Sequence, residues 1–199
     1  MKYGDINLGQ IEAAINTLGG MRGFRLLLSG EMDVKEKTPR TWVDIRLGTF
    51  KTTNEILKAF KCGGINIEDM ASMMLNNPAF NLAVPETNLK LVKMTTERLA
   101  GKDGMSSTAE VFAGARRYMI EDCLAEVGPQ LRLLDLTGSK DIYIGMKPIL
   151  CMDGIPRIFN LSESHFGTRW PRASVCRDDV LWNGQAVWVF ARRKLAKSI

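Results

Sequence analysis

Residues 41–60 read TWVDIRLGTFKTTNEILKAF, and the apolar period changes halfway along. Val43, Ile45 and Leu47 point one way along an extended chain while Asp44 and Arg46 point the other, which predicts a half-buried strand over residues 41–50. Thr52-x-x-Glu55 is a capping-box pattern opening a helix through Phe60, and Gly63-Gly64 closes that helix. Both periods in one stretch predict a chain of mixed helix and strand.

Upstream, residues 9–18 place Ile11, Ala14, Ile15 and Leu18 on one helical face, stopped by Gly19-Gly20. Residues 21–29 give a second short amphipathic helix with Phe24, Leu27 and Leu28 on its apolar side, ended by Gly30. Residues 31–41, EMDVKEKTPRT, are charged and contain Pro39, the composition of a linker. The expected organisation is a helical hairpin appendage over residues 1–37 and an α+β body over residues 38–199.

Downstream, Asn66 caps a predicted helix over 67–75 with Ile67, Met70, Met74 and Leu75 inward. Residues 79–84 and 88–95 read as β-like runs split by Pro85-Glu86-Thr87. Ser107-x-x-Glu110 is a second capping box, opening a helix to about Asp122 with Val111, Phe112, Ala115 and Met119 facing the core. From about residue 130 the period falls to two. Strands are predicted near 131–136, 141–149, 156–162, 172–176 and 186–193, with hairpin turns at Asp153-Gly154 and Asn183-Gly184. The expected C-terminal third is an antiparallel β meander that could close into a barrel.

The longest apolar runs, Leu26-Leu27-Leu28 and residues 186–191, fall far short of the ~20 residues of a membrane-spanning helix. The opening MKYGDINLGQ has no apolar core of a signal peptide, so a cytoplasmic protein without membrane contact is expected. Cys62, Cys123, Cys151 and Cys176 are scattered with no C-x-x-C pair, and free buried thiols are expected.

Several longer stretches are familiar as a set: LGGMRGFRLLLSGE at 18–31, RLGTFKTTNEILKAFKCGGINIEDMASMMLNNPAF at 46–80, and CLAEVGPQLRL at 123–133. IYIGMKPILCMDGIPRIFNL at 142–161 and WNGQAVWVFARRK at 182–194 complete it. Together the chain resembles a family of uncharacterised bacterial proteins, frequent in small-genome uncultivated bacteria, with no assigned function. The resemblance implies a bacterial cytoplasmic setting and an α+β fold. It transfers no catalytic residue.

The single histidine, His165, excludes multi-histidine metal sites and leaves one available base for a catalytic triad. No phosphate-binding glycine loop of either common pattern is present. The adjacent acids Glu68-Asp69 and Glu121-Asp122 sit where neighbours on a helix do not share a face, so neither pair is a natural metal clamp. No metal and no cofactor is expected. Glu126 stands out as a charge among Leu124, Ala125 and Val127. It is a weak catalytic candidate beside His165, and a structural partner of Arg132 is the alternative.

The net charge of +5 is local. Residues 157–199 hold Arg157, Arg169, Arg172, Arg177, Arg192, Arg193, Lys194 and Lys197 against Glu163, Asp178 and Asp179. Trp170, Trp182 and Trp188 fall in the same segment, although Val187–Phe190 is apolar on both faces and marks Trp188 as core. Cations beside aromatics suit single-stranded nucleic acid or another polyanion, with Arg157, Arg169, Trp170, Arg172, Arg177, Arg192, Arg193 and Lys194 as binding candidates. Two further readings stand beside that one. The first is a protein-interaction or structural role docking through residues 1–37. The second is an enzyme of unrecognised type using Glu126 or His165.

Overall fold

The structure is a computed structural model, and it describes residues 7–32, 39–134, 141–163 and 169–192, without the side chains of Glu163, Arg169 and Trp170. The chain divides into two compact units, Met1–Lys37 and Thr38–Ile199.

In the first unit, α1 (Leu8–Thr17) opens on a capping box: the Gln10 N–H donates to Asn7 Oδ1 at 2.9 Å and the Asn7 N–H donates to Gln10 Oε1 at 2.9 Å. Gly19, at φ 87°, reverses the chain into α2 (Gly20–Leu28). A Cβ at Gly23 would fall 1.6 Å from the Leu18 carbonyl oxygen, so glycine is what lets α2 approach the end of α1. No residue of α1 is buried, and only Gly23 is buried in α2.

The second unit begins with β1 (Val43–Leu47), whose exposure alternates as its sequence does. α3 (Thr53–Cys62) buries Ile56 and Phe60. Thr52 caps it, but the Glu55 carboxylate accepts the Lys51 N–H at 2.7 Å, one residue before the N-cap. α4 (Asp69–Leu75) buries Ala71, Met74 and Leu75. Residues 79–84, expected as a strand, form none. The Ala83 N–H goes to the Glu126 carboxylate instead of to a neighbouring strand.

β2 (Thr87–Thr95) runs into α5 (Thr96–Ala100), and β3 (Ser106–Ser107) runs into α6 (Thr108–Arg117). The Ser107–Glu110 capping box is present. α6 ends five residues before the expected Asp122, because Met119 takes φ 55° to lead into β4 (Ile120–Glu121). Met119 is therefore 54% exposed and not a core residue.

The expected strand over 131–136 is overturned where it is described: Val127–Leu133 is a helix, α7, with Val127 through Arg132 all buried. Its Pro129 sits in the first turn, where a missing N–H leaves no intrahelical bond unmade. The expected strand over 141–149 is two short strands, β5 (Ile142–Ile144) and β6 (Ile149–Leu150). Between them Gly145 is pressed against Phe190, whose ring would lie 2.2 Å from an added Cβ. β7 (Pro156–Glu163), β8 (Arg169–Val175), β9 (Leu181–Trp182) and β10 (Val187–Arg192) follow.

Among the described residues the main sheet has eight strands in the order β1-β2-β10-β5-β7-β6, with β4 also on β10 and β8 also on β7. β8 pairs along the length of β7, from Arg157 opposite Val175 to Glu163 opposite Arg169, while β5 and β6 take the other side of β7. β1 and β8 are thus the two margins, and the sheet does not close into a barrel. Asp153-Gly154 does turn an antiparallel hairpin between β6 and β7. Asn183-Gly184 does not: β9 pairs β3 in a second sheet, and β10 lies parallel to β5 and antiparallel to β2. The C-terminal third is therefore not a simple meander. The overall class is α+β.

The sheet is covered on both faces. On one, Phe112 of α6 makes edge contacts with Trp188 and Phe190 at 6.0 and 5.6 Å between ring centres. On the other, Gly128 of α7 lies against Phe159. Trp188 is fully buried, as its sequence setting implied, and its indole N–H donates to Thr96 Oγ1 at 3.0 Å.

Candidate interaction surfaces

Glu126 is the N-cap of α7 and has no solvent exposure. Its Oε1 accepts the Gly48 N–H at 2.7 Å and its Oε2 accepts the Ala83 N–H at 2.8 Å. Gln130 Nε2 donates to the same carboxylate at 3.2 Å and to Thr49 Oγ1 at 2.7 Å. The carboxylate thereby ties the loop after β1, the segment before β2 and α7 to one point. A carboxylate filled by backbone donors and sealed from solvent meets no substrate, so its geometry is that of a structural clamp. Arg132, also buried, donates to the Ser162 carbonyl at 2.9 Å. His165 lies outside the described residues.

The C-terminal cations separate. Arg157 is nearly buried and grips Asp153 with two bonds of 2.7 Å, one from each terminal nitrogen. That grip holds the Asp153 carboxyl down at about 2 and raises the guanidinium. Arg172 lies 3.8 Å from Glu68, and Arg177 lies 3.1 Å from Asp179. Arg192 donates to Thr41 Oγ1 at 3.1 Å. Arg157 stands opposite Val175 and Arg172 opposite Asn160, so odd and even positions send these two arginines to opposite faces of the β7–β8 pair. Arg193 and Lys194 lie outside the described residues, as do the side chains of Arg169 and Trp170.

Three cysteines are buried and Cys62 is exposed, against the expectation of four buried thiols. Burial pushes the Cys176 thiol up to about 12, and it raises Cys123 further, which makes both poor nucleophiles. Among the described residues no three His, Cys, Asp or Glu side chains come together as a metal site. No helix among them is long and apolar enough to cross a membrane.

Two apolar surfaces stand out among the described residues. The first is the hairpin, where Leu8 is 84% exposed and Leu28 is 71% exposed, with Ile11 and Met21 also at the surface. The second surrounds the β6–β7 turn. Met152 is 95% exposed at its tip, beside a shallow cavity of about 240 Å³ lined by Met73, Pro78 and uncharged neighbours. Sequence reasoning missed Met152. A methionine inside a Cys-Met-Asp-Gly hairpin turn has no core to fill, and that is the signal that would have found it.

Geometry thus defines an α+β protein with a packed body, a helical hairpin with exposed apolar side chains and no solvent-reaching acid–base pair among the candidates described. Comparison of the chain with protein-family models, with curated proteins and with solved structures gives no match.

Proposed function

We propose that the protein is a non-enzymatic protein-interaction module that docks through its N-terminal helical hairpin. One observation carries the reading: α1 and α2 are amphipathic helices, and among their residues only Gly23 is buried. Short helices are marginal in water and depend on burial of their apolar side. Ile15, Leu18, Phe24 and Leu27 are only half-buried, and Leu8, Ile11, Met21 and Leu28 are the exposed side chains a partner would cover. The described hairpin residues carry Glu12 and Glu31 against Arg22 and Arg25, so that surface is apolar and not polyanionic. The resemblance noted above supports placing this activity in a bacterial cytoplasm.

A photo-crosslinking residue at Ile11, and separately at Leu28, tests the proposal in the cell that makes the protein. One protein captured from both positions, and lost when Ile15→Asp is added, is the expected result. Capture that is unchanged by Ile15→Asp counts against the hairpin.

The charge excess of residues 157–199 supports a second reading, polyanion binding through Arg157, Arg169, Trp170, Arg172, Arg177, Arg192, Arg193 and Lys194. Carboxylate partners on Arg157, Arg172 and Arg177 weaken it. Its test is the affinity for single-stranded RNA against salt. Each phosphate contact contributes about −0.7 to the logarithmic slope, and no binding at 50 mM salt would end this reading.

A further inference from the structure

β1 pairs with β2 and, among the described residues, with no other strand. The opposite margin is finished differently. There the Glu68 carboxylate accepts the Ala173 N–H at 2.8 Å and the Glu68 N–H donates to the Pro171 carbonyl at 3.2 Å, so the residue before α4 closes the edge of β8. An open edge strand displays backbone donors and acceptors that template another strand. Proteins that keep such an edge solitary use short strands, charged side chains, Pro, a bulge, inward-pointing charges or a covering segment there. β1, Val43-Asp44-Ile45-Arg46-Leu47, holds no Pro and no inward-pointing charge; it is short, and its two charges point outward, where their signs select what can pair there.

That sequence complements its own reverse. Antiparallel pairing about a two-fold axis at Ile45 sets Asp44 of one copy opposite Arg46 of the other, twice. It also sets Val43 opposite Leu47, and Ile45 opposite itself. Asp44 and Arg46 lie on the open face, with side chains 59% and 66% exposed. Within one copy Asp44 already faces Lys90 at 4.0 Å, and Arg46 pairs with Glu86. The row across the seam would alternate in sign: Lys90, Asp44, then Arg46 of the second copy. Opposite charges directly across an antiparallel pair stabilise it, and like charges destabilise it.

We infer that two copies of the protein join β1 to β1 in an antiparallel, two-fold pairing that makes one continuous sheet. A strand of this length spans roughly 17 Å, so the dimer is of the weak class. This inference is independent of the hairpin reading.

The test is sedimentation velocity of the full chain from about 2 to 200 μM. Wild type should pass from monomer to dimer. Asp44→Arg alone and Arg46→Asp alone each create two like-charge contacts and should weaken the dimer about ten-fold or more. The double substitution restores opposite charges and should recover the wild-type constant to within about three-fold. A chain monomeric throughout overturns the inference. So does a dimer indifferent to all three variants, and if Ile15→Asp then dissolves that dimer, the hairpin holds it and the proposed function survives. Amide exchange of wild-type β1 gives a reading that needs no substitution: protection should rise with concentration at β1, and protection independent of concentration overturns the seam.

Discussion

At the scale of single residues, the sequence marked two positions for physical reasons that hold, and the structure supplied the neighbours. Glu126 was conspicuous as a charge among apolar residues. Its three hydrogen-bond donors come from Gly48, Ala83 and Gln130, and the first two are distant loop amides that no local pattern reveals. Removing the carboxylate strands a buried N–H at Ala83 and a half-buried one at Gly48, so Glu126→Ala should destabilise the body by about 3 kcal/mol, read from chemical denaturation. Were the melt unchanged, the clamp would not be structural. Asp153 is the second case. Its turn position was legible, but its grip by Arg157 was not. Because its folded value of about 2 lies below the ordinary 3.8, the contact contributes fully above pH 4 and is lost as pH falls through 2. A carbon-detected titration of the Asp153 carboxyl should show its midpoint near 2, and a midpoint near 4 would deny the contact.

At the scale of elements, exposure decided what could be read. β1 and α6 each present one wet face, so their periods of two and 3.6 stood out, as did the Ser107–Glu110 cap. α7 has no wet face. Val127 through Arg132 are all buried, so the contrast that separates a helix from a strand is absent, and LRLL read as alternation. The break between β5 and β6 was hidden for another reason. Gly145 is needed because the Phe190 ring, far along the chain, occupies the space of its Cβ. Gly145→Ala forces that ring or the backbone aside. It should cost about 2 kcal/mol, and Phe190→Leu on the same chain should recover part of the loss. Additive destabilisation by the two substitutions would show that the contact is not the cause.

At the scale of the molecule, the sequence carried the α+β class but not the strand order, because order depends on pairings between remote segments. β10 reads as the last strand of a meander and is instead the middle of the sheet, between β2 and β5. Nothing in residues 187–192 names those partners; only their apolarity on both faces signals a strand buried from both sides. The consequence is that the body cannot be completed until its last described element arrives. Trp188, Val189 and Phe190 are each fully buried, and each contributes about 2 kcal/mol or more through burial. Together they rival the ~5–15 kcal/mol net stability of an ordinary domain. A chain ending at Asn183 should therefore show helix by circular dichroism but no cooperative melt. Adding a peptide of residues 184–199 should restore the melt, because the slot between β2 and β5 is specific in register, with Val189 opposite Lys93 on one side and Ile144 on the other. A truncated chain that melts cooperatively without the peptide would mean that β2 and β5 can close on each other, and that β10 is not the strand on which the body depends.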